Sequence, residues 1–270
     1  MPRSAWGLPA YYFGLLALLY LPLVVLLVFA FNDGTILAFP MRGFTLRWFQ
    51  QLFATEALMR ALRNSVTVAL GAATVAVTLG ACAAIAVVRF RFRGKGAFMT
   101  VALLPLYVPF VVVGVALLLL FSVIGLPRSL LTIAAAHTVV SFPYALLILT
   151  ARLVGFDPHL EEAAMSLGAN YWQTLRQVIL PLIAPALLAA WLTAFTVSFD
   201  EFAIANLLAG AEPTLPVYLY SQLRMSARLP LVIAMAGLVM VLTLSIFFTL
   251  VWLRRFVFRL PAAVTAVRAR

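Results

Sequence analysis

FDPHLEEAAMSLGANYWQTLRQVILP, residues 156–181, is the longest polar-bearing stretch between two strongly apolar runs of the chain. Its pattern predicts a hairpin of two short helices. Asp157 suits an N-cap, Pro158 the first helical position, and Glu161 and Glu162 the first turn, where the helix dipole favours negative charge. Ala163, Ala164 and Leu167 then form a small apolar face, and Gly168 turns without a Cβ penalty. A second amphipathic piece, Tyr171 to Gln177, precedes Leu180-Pro181 and the return to apolar sequence. In a membrane protein, such a knob presents a surface to a soluble partner.

The surrounding chain is that of an integral membrane protein. Of its 270 residues 65% are hydrophobic and 10% charged, against about 25% charged in an average soluble domain, and the mean hydropathy is +1.11. Six apolar spans are expected, at about 11–31, 66–88, 98–124, 130–153, 182–208 and 229–253, with the hairpin 157–181 between the fourth and fifth. The fold class is therefore all-α, a single polytopic transmembrane domain over 1–270. The first span is too long for a typical signal-peptide core and is read as a retained helix. Ala72, Ala76, Gly80 and Ala84 form a small-residue stripe in the second span, suited to close helix approach. Pro105 and Pro109 are expected to kink or break the start of the third. Pro40 to Arg63 reads as a polar-aromatic loop.

Charge sets the orientation. The net charge of +11 comes from arginines that flank spans; no basic cluster interleaves with aromatics on a polar domain, so nucleic acid is not the partner. With both termini inside, Arg3, Arg89, Arg91, Arg93, Lys95, Arg152, Arg176, Arg254, Arg255, Arg259, Arg268 and Arg270 are cytoplasmic. Arg42, Arg47, Arg60, Arg63, Arg128, Arg224 and Arg228 are external. This majority inside is what the positive-inside rule requires, and it puts the hairpin in the cytoplasm.

Catalytic chemistry finds no footing. Around Gly94-Lys95 a phosphate-cradling loop fails, because Arg89 holds the first glycine position and Gly96 replaces the hydroxyl residue. There is no GxSxG elbow, no HExxH pair and no cysteine cluster. The single Cys82 forms no intrachain disulfide. His137, without a second ligand at metal spacing, reads as a hydrogen-bonding packing residue rather than a metal ligand. Asp200 and Glu201 are the only acids within a predicted span. Buried carboxylates there are costly and point to a water-filled path or a partner; the alternative is an interfacial position, since Asp200 lies about 19 residues beyond Pro181, roughly 30 Å along a helix. Trp191, Phe195, Phe199 and Phe202 offer aromatic faces to a cation, packing being the other role open to them.

Glu162-Ala163-Ala164, three residues, Gly168, nine residues, Val178, one residue and Leu180-Pro181 resemble the EAA loop of binding-protein-dependent ABC importer permeases, with Val178 where isoleucine is usual. FND…GFTLRWFQQLF (31–53), SFDEF (198–202) and LPVYLYSQLR (215–224) resemble the polyamine, spermidine/putrescine, branch. The resemblance implies a type I importer permease fold in a bacterial inner membrane, one half of a pore. It implies as partners a second, different permease, two copies of an ATPase that bind ATP and magnesium in this chain's stead, and an external solute-binding protein. Glu162, Ala163, Ala164, Leu167, Gly168, Ala169, Leu180 and Pro181 would couple to the ATPase. Asp200, Glu201, Phe199, Trp191 and Phe195 would line the substrate path. One departure bears on the solute: polyamine relatives commonly carry an acid directly after the proline matched by Pro109, and this chain has Phe110. The rival class, a stand-alone secondary transporter or channel using Asp200 and Glu201, usually shows an internal repeat, and none is found here.

Overall fold

In the computed structural model, residues 7–34, 40–225 and 228–257 are described. Arg3 and the tail cations Arg259, Arg268 and Arg270 lie outside them. The described chain is helical, and its contacts divide it into two units, residues 1–56 with 221–270 and residues 57–220.

In the first unit, α1 (Gly7–Phe29) packs along α12 (Leu229–Val257), which also covers α2 (Arg47–Ala54). Gly237 permits the α1–α12 approach: a Cβ there would stand 3.2 Å from the Ala30 Cβ. After α1 the chain pairs briefly with itself, Thr45 N donating to the Phe31 carbonyl at 2.7 Å and Asp33 N to the Gly43 carbonyl at 3.0 Å. Trp48 Nε1 donates to the Asn32 carbonyl at 2.8 Å, so the buried indole has its polar edge satisfied.

The second unit is built on α3 (Glu56–Arg89), α6 (Leu130–Val154) and α9 (Leu180–Asp200). The second span was expected to begin near Val66; it begins ten residues earlier, so much of the expected loop is helix. Arg60, Arg63 and Asn64 interrupt the apolar run, but Leu58, Ala61, Ser65, Val68 and Ala72 recur at three- and four-residue intervals on one buried face. The stripe Ala72, Ala76, Gly80, Ala84 is wholly buried. At Gly80 an added Cβ would meet the Ala145 Cβ at 2.8 Å and the Leu146 N at 3.2 Å, so backbone nearly touches backbone where α3 crosses α6. In lipid, where no hydrophobic force drives helices together, such close dispersion contact holds the bundle.

The third expected span is broken. α4 (Lys95–Leu103) passes through a tight turn, Leu104–Leu106, and meets α5 (Phe110–Val123) at 106°. Pro105 and Pro109, each lacking an N–H, bracket the break, and Pro109 is the extended residue that caps α5. α5 rests on α10 (Ala203–Leu208), where a Cβ on Gly114 would come within 2.9 Å of Leu207. Phe110 packs beside the cluster of Val68, Ile133, Ala136, Val140, Ile204 and Leu208. The fifth span is also interrupted, at Glu201 between α9 and α10. α11 (Leu215–Leu223) follows, its first N–H donated to the buried Ser65 Oγ at 2.8 Å.

Among the described residues, four single helices are long and apolar enough to cross a membrane, and the bent pair makes a fifth if taken as one span. The sixth expected span falls on α12, 29 residues long, whose apolar part within the described residues is Leu229–Ser245. Gly80→Ala is expected to destabilise the chain by at least ~1 kcal/mol through overpacking despite alanine's better helix propensity. Gly71→Ala, with nothing within 4 Å of the new methyl, is expected to be neutral or stabilising. Thermal melting in detergent reads the opposite signs.

Candidate functional site: the interhelical hairpin and the acid-bearing break

The hairpin is set by local hydrogen bonds. Asp157 Oδ1 accepts from the His159 N at 3.0 Å, two residues before the start of α7 (His159–Ser166), and Pro158 between them is already in the helical conformation. α7 ends in a Schellman motif: Ala169 N donates to the Ala164 carbonyl at 3.1 Å and Gly168 N to the Met165 carbonyl at 3.0 Å. Gly168 is left-handed there, with φ +91°, a conformation costing other residues about 1–2 kcal/mol. Its Cβ position is open, so glycine is required for its backbone and not for its size. Asn170 then caps α8 (Tyr171–Thr174) reciprocally: its Oδ1 accepts from the Gln173 N at 2.9 Å, and its N donates to Gln173 Oε1 at 2.8 Å.

The second arm is not the separate short helix expected. α8 runs through one wide π turn, Leu175–Ile179, directly into α9. Pro181 follows that turn and has no N–H to return to the Gln177 carbonyl, which accounts for the local widening. Leu180, expected on the coupling surface, instead packs against the core cluster of α3, α6 and α9; Pro181 is exposed. Ala163 is exposed and Ala164 and Ala169 are half-buried. The tip is apolar and open: Leu167 is 90% exposed and Trp172 67%, with Met165 and Leu160 beside them in exposure. Glu162 is exposed and touches only His159 among the described residues, at 3.2 Å. Glu161 lies with Glu162 in the first turn of α7, as expected, but is turned inward onto Arg89.

At the far end of α9 the two acids part company. Glu201 is buried and receives the backbone N–H groups of Ile204, at 2.9 Å, and Ala205, at 3.0 Å, capping the positive end of α10. His137 Nε2 lies 3.2 Å from Glu201 Oε2, near enough for an ion pair of the imidazolium form but poorly aligned as a hydrogen bond. His137 Nδ1 is 2.8 Å from the Ser198 Oγ. His137 is thus a buried packing residue that ties α6 to the break, as its sequence context implies. Glu201 is not presented side by side with Asp200 as a carboxylate pair. Asp200, the last residue of α9, is exposed and forms no ion pair among the described residues.

Between the hairpin and Asp200 runs an aromatic ladder. Trp191 and Phe195 stack with centroids 5.4 Å apart, and Phe195 and Phe199 at 5.7 Å. Trp191 Nε1 donates to the Thr74 Oγ1 at 3.1 Å. The three rings are half-buried, so they both pack and leave a face open. No group of acids, histidines and cysteines among the described residues has metal-binding geometry.

Residues 76–259 match the family model of the binding-protein-dependent transport system inner membrane component. The chain belongs to this family. It is a membrane-embedded permease subunit, and the hairpin and its motif fall inside the matched region. Among its relatives, the spermidine/putrescine transport system permease protein PotC of Haemophilus influenzae is 35% identical over 238 residues, 88% of this chain and 92% of that one. The putrescine transport system permease protein PotI of Escherichia coli is 37% identical over 246 residues, covering 88% and 86%. A chain from the crystal structure of a bacterial ABC transporter that imports the polysaccharide alginate superposes with a TM-score of 0.72, at 19% identity, over 96% of this permease and 98% of that chain. At that identity the likeness concerns the fold alone.

Glu201→Ala would leave two N-terminal N–H groups of α10 without their acceptor and His137 without the carboxylate it faces, an expected loss of about 3 kcal/mol. Asp200→Asn in the same permease is expected to leave the melting temperature unchanged. Thermal unfolding of the two variants side by side checks the division of labour.

Proposed function

We propose that this permease is half of the pathway of an ATP-driven polyamine importer, with the hairpin 157–181 as its contact with the ATPase. The observation that carries the coupling reading is the exposed tip of a rigidly capped α7. Leu167 stands clear of the fold while the Schellman turn and the Asn170 cap fix its backbone. A side chain this apolar and this exposed suits a groove on a partner, and Ala163 and Ala164 allow the helix to lie close in it. Closure of two ATPase subunits would draw two such hairpins together and switch the pore between inward- and outward-facing forms. ATP and magnesium would be held by those partners.

The relatives named for spermidine and putrescine transport support the substrate class. So does the chemistry of α9. Asp200 is an exposed carboxylate without an ion pair among the described residues, one residue beyond Phe199, where the Trp191–Phe195–Phe199 ladder ends. A carboxylate with neighbouring aromatic faces suits an alkylammonium ion. Asp200 lies 18 residues beyond Leu182, about 27 Å along the helix. Arg152 Nη2, at the cytoplasmic end of α6, donates to the Leu182 carbonyl at 3.1 Å, so Leu182 marks the inner level and Asp200 would meet solute near the outer one. A different permease, an external solute-binding protein and two ATPase copies would complete the complex, with both termini of this chain in the cytoplasm. A stand-alone transporter driven through an acid pair is disfavoured, since Glu201 is committed to His137 and α10.

Glu162→Lys is expected to insert normally, because Glu162 holds nothing but an exposed histidine, yet to lower uptake by more than tenfold while ATP hydrolysis continues; normal uptake contradicts the coupling reading. Asp200→Asn is expected to lower putrescine uptake about tenfold, the loss of one charge-assisted hydrogen bond worth ~1.5 kcal/mol. Unchanged uptake would remove Asp200 from the path.

A further inference from the structure

The hairpin is continuous in chain with α6, through Gly155–Asp157, and with α9, through the π turn. It has no such continuity with α3. The second arm meets α3 through the apolar core; what joins the first arm, α7, to α3 is an ion pair spanning 72 residues of sequence. Arg89, the last residue of α3, donates from Nε to Glu161 Oε1 at 2.8 Å. Its Nη2 stands 2.6 Å from the same oxygen, as an ion-pair contact off the hydrogen-bond angle. Both side chains are largely buried, 17% and 11% exposed.

The neighbourhood is built around this pair. The Arg89 guanidinium lies over the Phe156 ring, 5.6 Å from its centroid. The adjacent Phe90 ring meets Tyr171, the first residue of α8, edge-on at 6.2 Å. Of the four cations in the 89–95 run, Arg91, Arg93 and Lys95 are exposed and only Arg89 is turned in. Each charge also complements the helix that bears it: the cation closes the C-terminus of α3, and the carboxylate sits in the first turn of α7. Beyond Arg89, α3 is held to α6 at Gly80 and to α9 at Thr74, so a displacement received there is passed to the whole helical core.

We propose that Arg89 and Glu161 form the strut that carries movement of the hairpin into α3, making them positioning residues for transport. This rests on the coupling reading of the hairpin. Without the pair, α7 is displaced by its partner while α3 stays behind, and hydrolysis continues without productive switching of the pore.

The test is uptake per ATP hydrolysed, measured with the complete importer in proteoliposomes, for Glu161→Gln, Arg89→Glu and the exchange Arg89→Glu/Glu161→Arg. The single variants are expected to keep the ATPase bound at wild-type stoichiometry and hydrolysing, with uptake per ATP at least tenfold lower. The exchange is expected to recover about a third of the wild-type ratio and no more, because each swapped charge then opposes its helix dipole. Wild-type coupling in Glu161→Gln overturns the proposal. So does loss of the bound ATPase in that variant, which would make Glu161 a docking residue, or an exchange that recovers nothing. A Glu161→Gln chain that fails to accumulate in the membrane assigns the pair to folding and overturns it too. Normal uptake in Glu162→Lys, by contrast, removes the coupling reading itself whatever the Arg89 variants do.

Discussion

From Tyr171 to Asp200 the backbone is helical for 30 residues, a rod about 45 Å long with the base of the hairpin at one end and an exposed carboxylate at the other. Because the second arm of the hairpin and the fifth span are one helix, a force on the tip cannot be absorbed in a loop between them. The π turn at Leu175–Ile179 is where the rod departs from α-helical hydrogen bonding, and Ile179 within it is fully buried against the core. The rod is therefore pinned where it bends. The rest of the second unit is arranged around it: α6 lies against its length, α3 crosses α6 at Gly80 and reaches the rod at Thr74, and α10 continues beyond its break.

Two buried charge clusters sit near opposite ends of the core, and both follow one rule. Charges are costly in an apolar bundle unless paired, and each is placed where a helix terminus helps to hold it. Glu201 closes the N-terminus of α10 and faces His137; Glu161 sits in the first turn of α7 and faces Arg89 at the end of α3. The first cluster fixes a break in a span, and the second fixes a joint between span and hairpin. Their sequence neighbours Asp200 and Glu162 are left outside these clusters, exposed, and stand apart from the fold's stability. That contrast is what allows structural and transport roles to be separated by mutation.

Much of this was legible in the sequence, and the misses have physical causes. Gly168, the prolines of the third span and the small-residue stripe act locally, through backbone conformation or repeat spacing, so their roles could be read from the residues themselves. The start of α3 was missed because Arg60, Arg63 and Asn64 lower the hydropathy, although Leu58, Ala61, Ser65 and Val68 keep one face buried; periodicity carried the signal that average polarity hid. Glu161 and Glu162 are adjacent and look equivalent, yet only the tertiary placement of Arg89 decides which turns inward. Asp200 and Glu201 pose the same problem: side by side in sequence, one is exposed and the other buried. The break that separates them depends on His137 and Ser198, and no spacing rule reports that association.

The claim on which the account stands is that the tip of α7 meets a cytoplasmic motor. Leu167→Cys, in a chain whose exposed Cys82 is replaced by alanine, tests it with a membrane-impermeant maleimide. The account predicts labelling in inside-out vesicles only, and protection there when the ATPase subunits are bound. Labelling in right-side-out vesicles, or labelling of inside-out vesicles that the bound ATPase leaves unaffected, would contradict it.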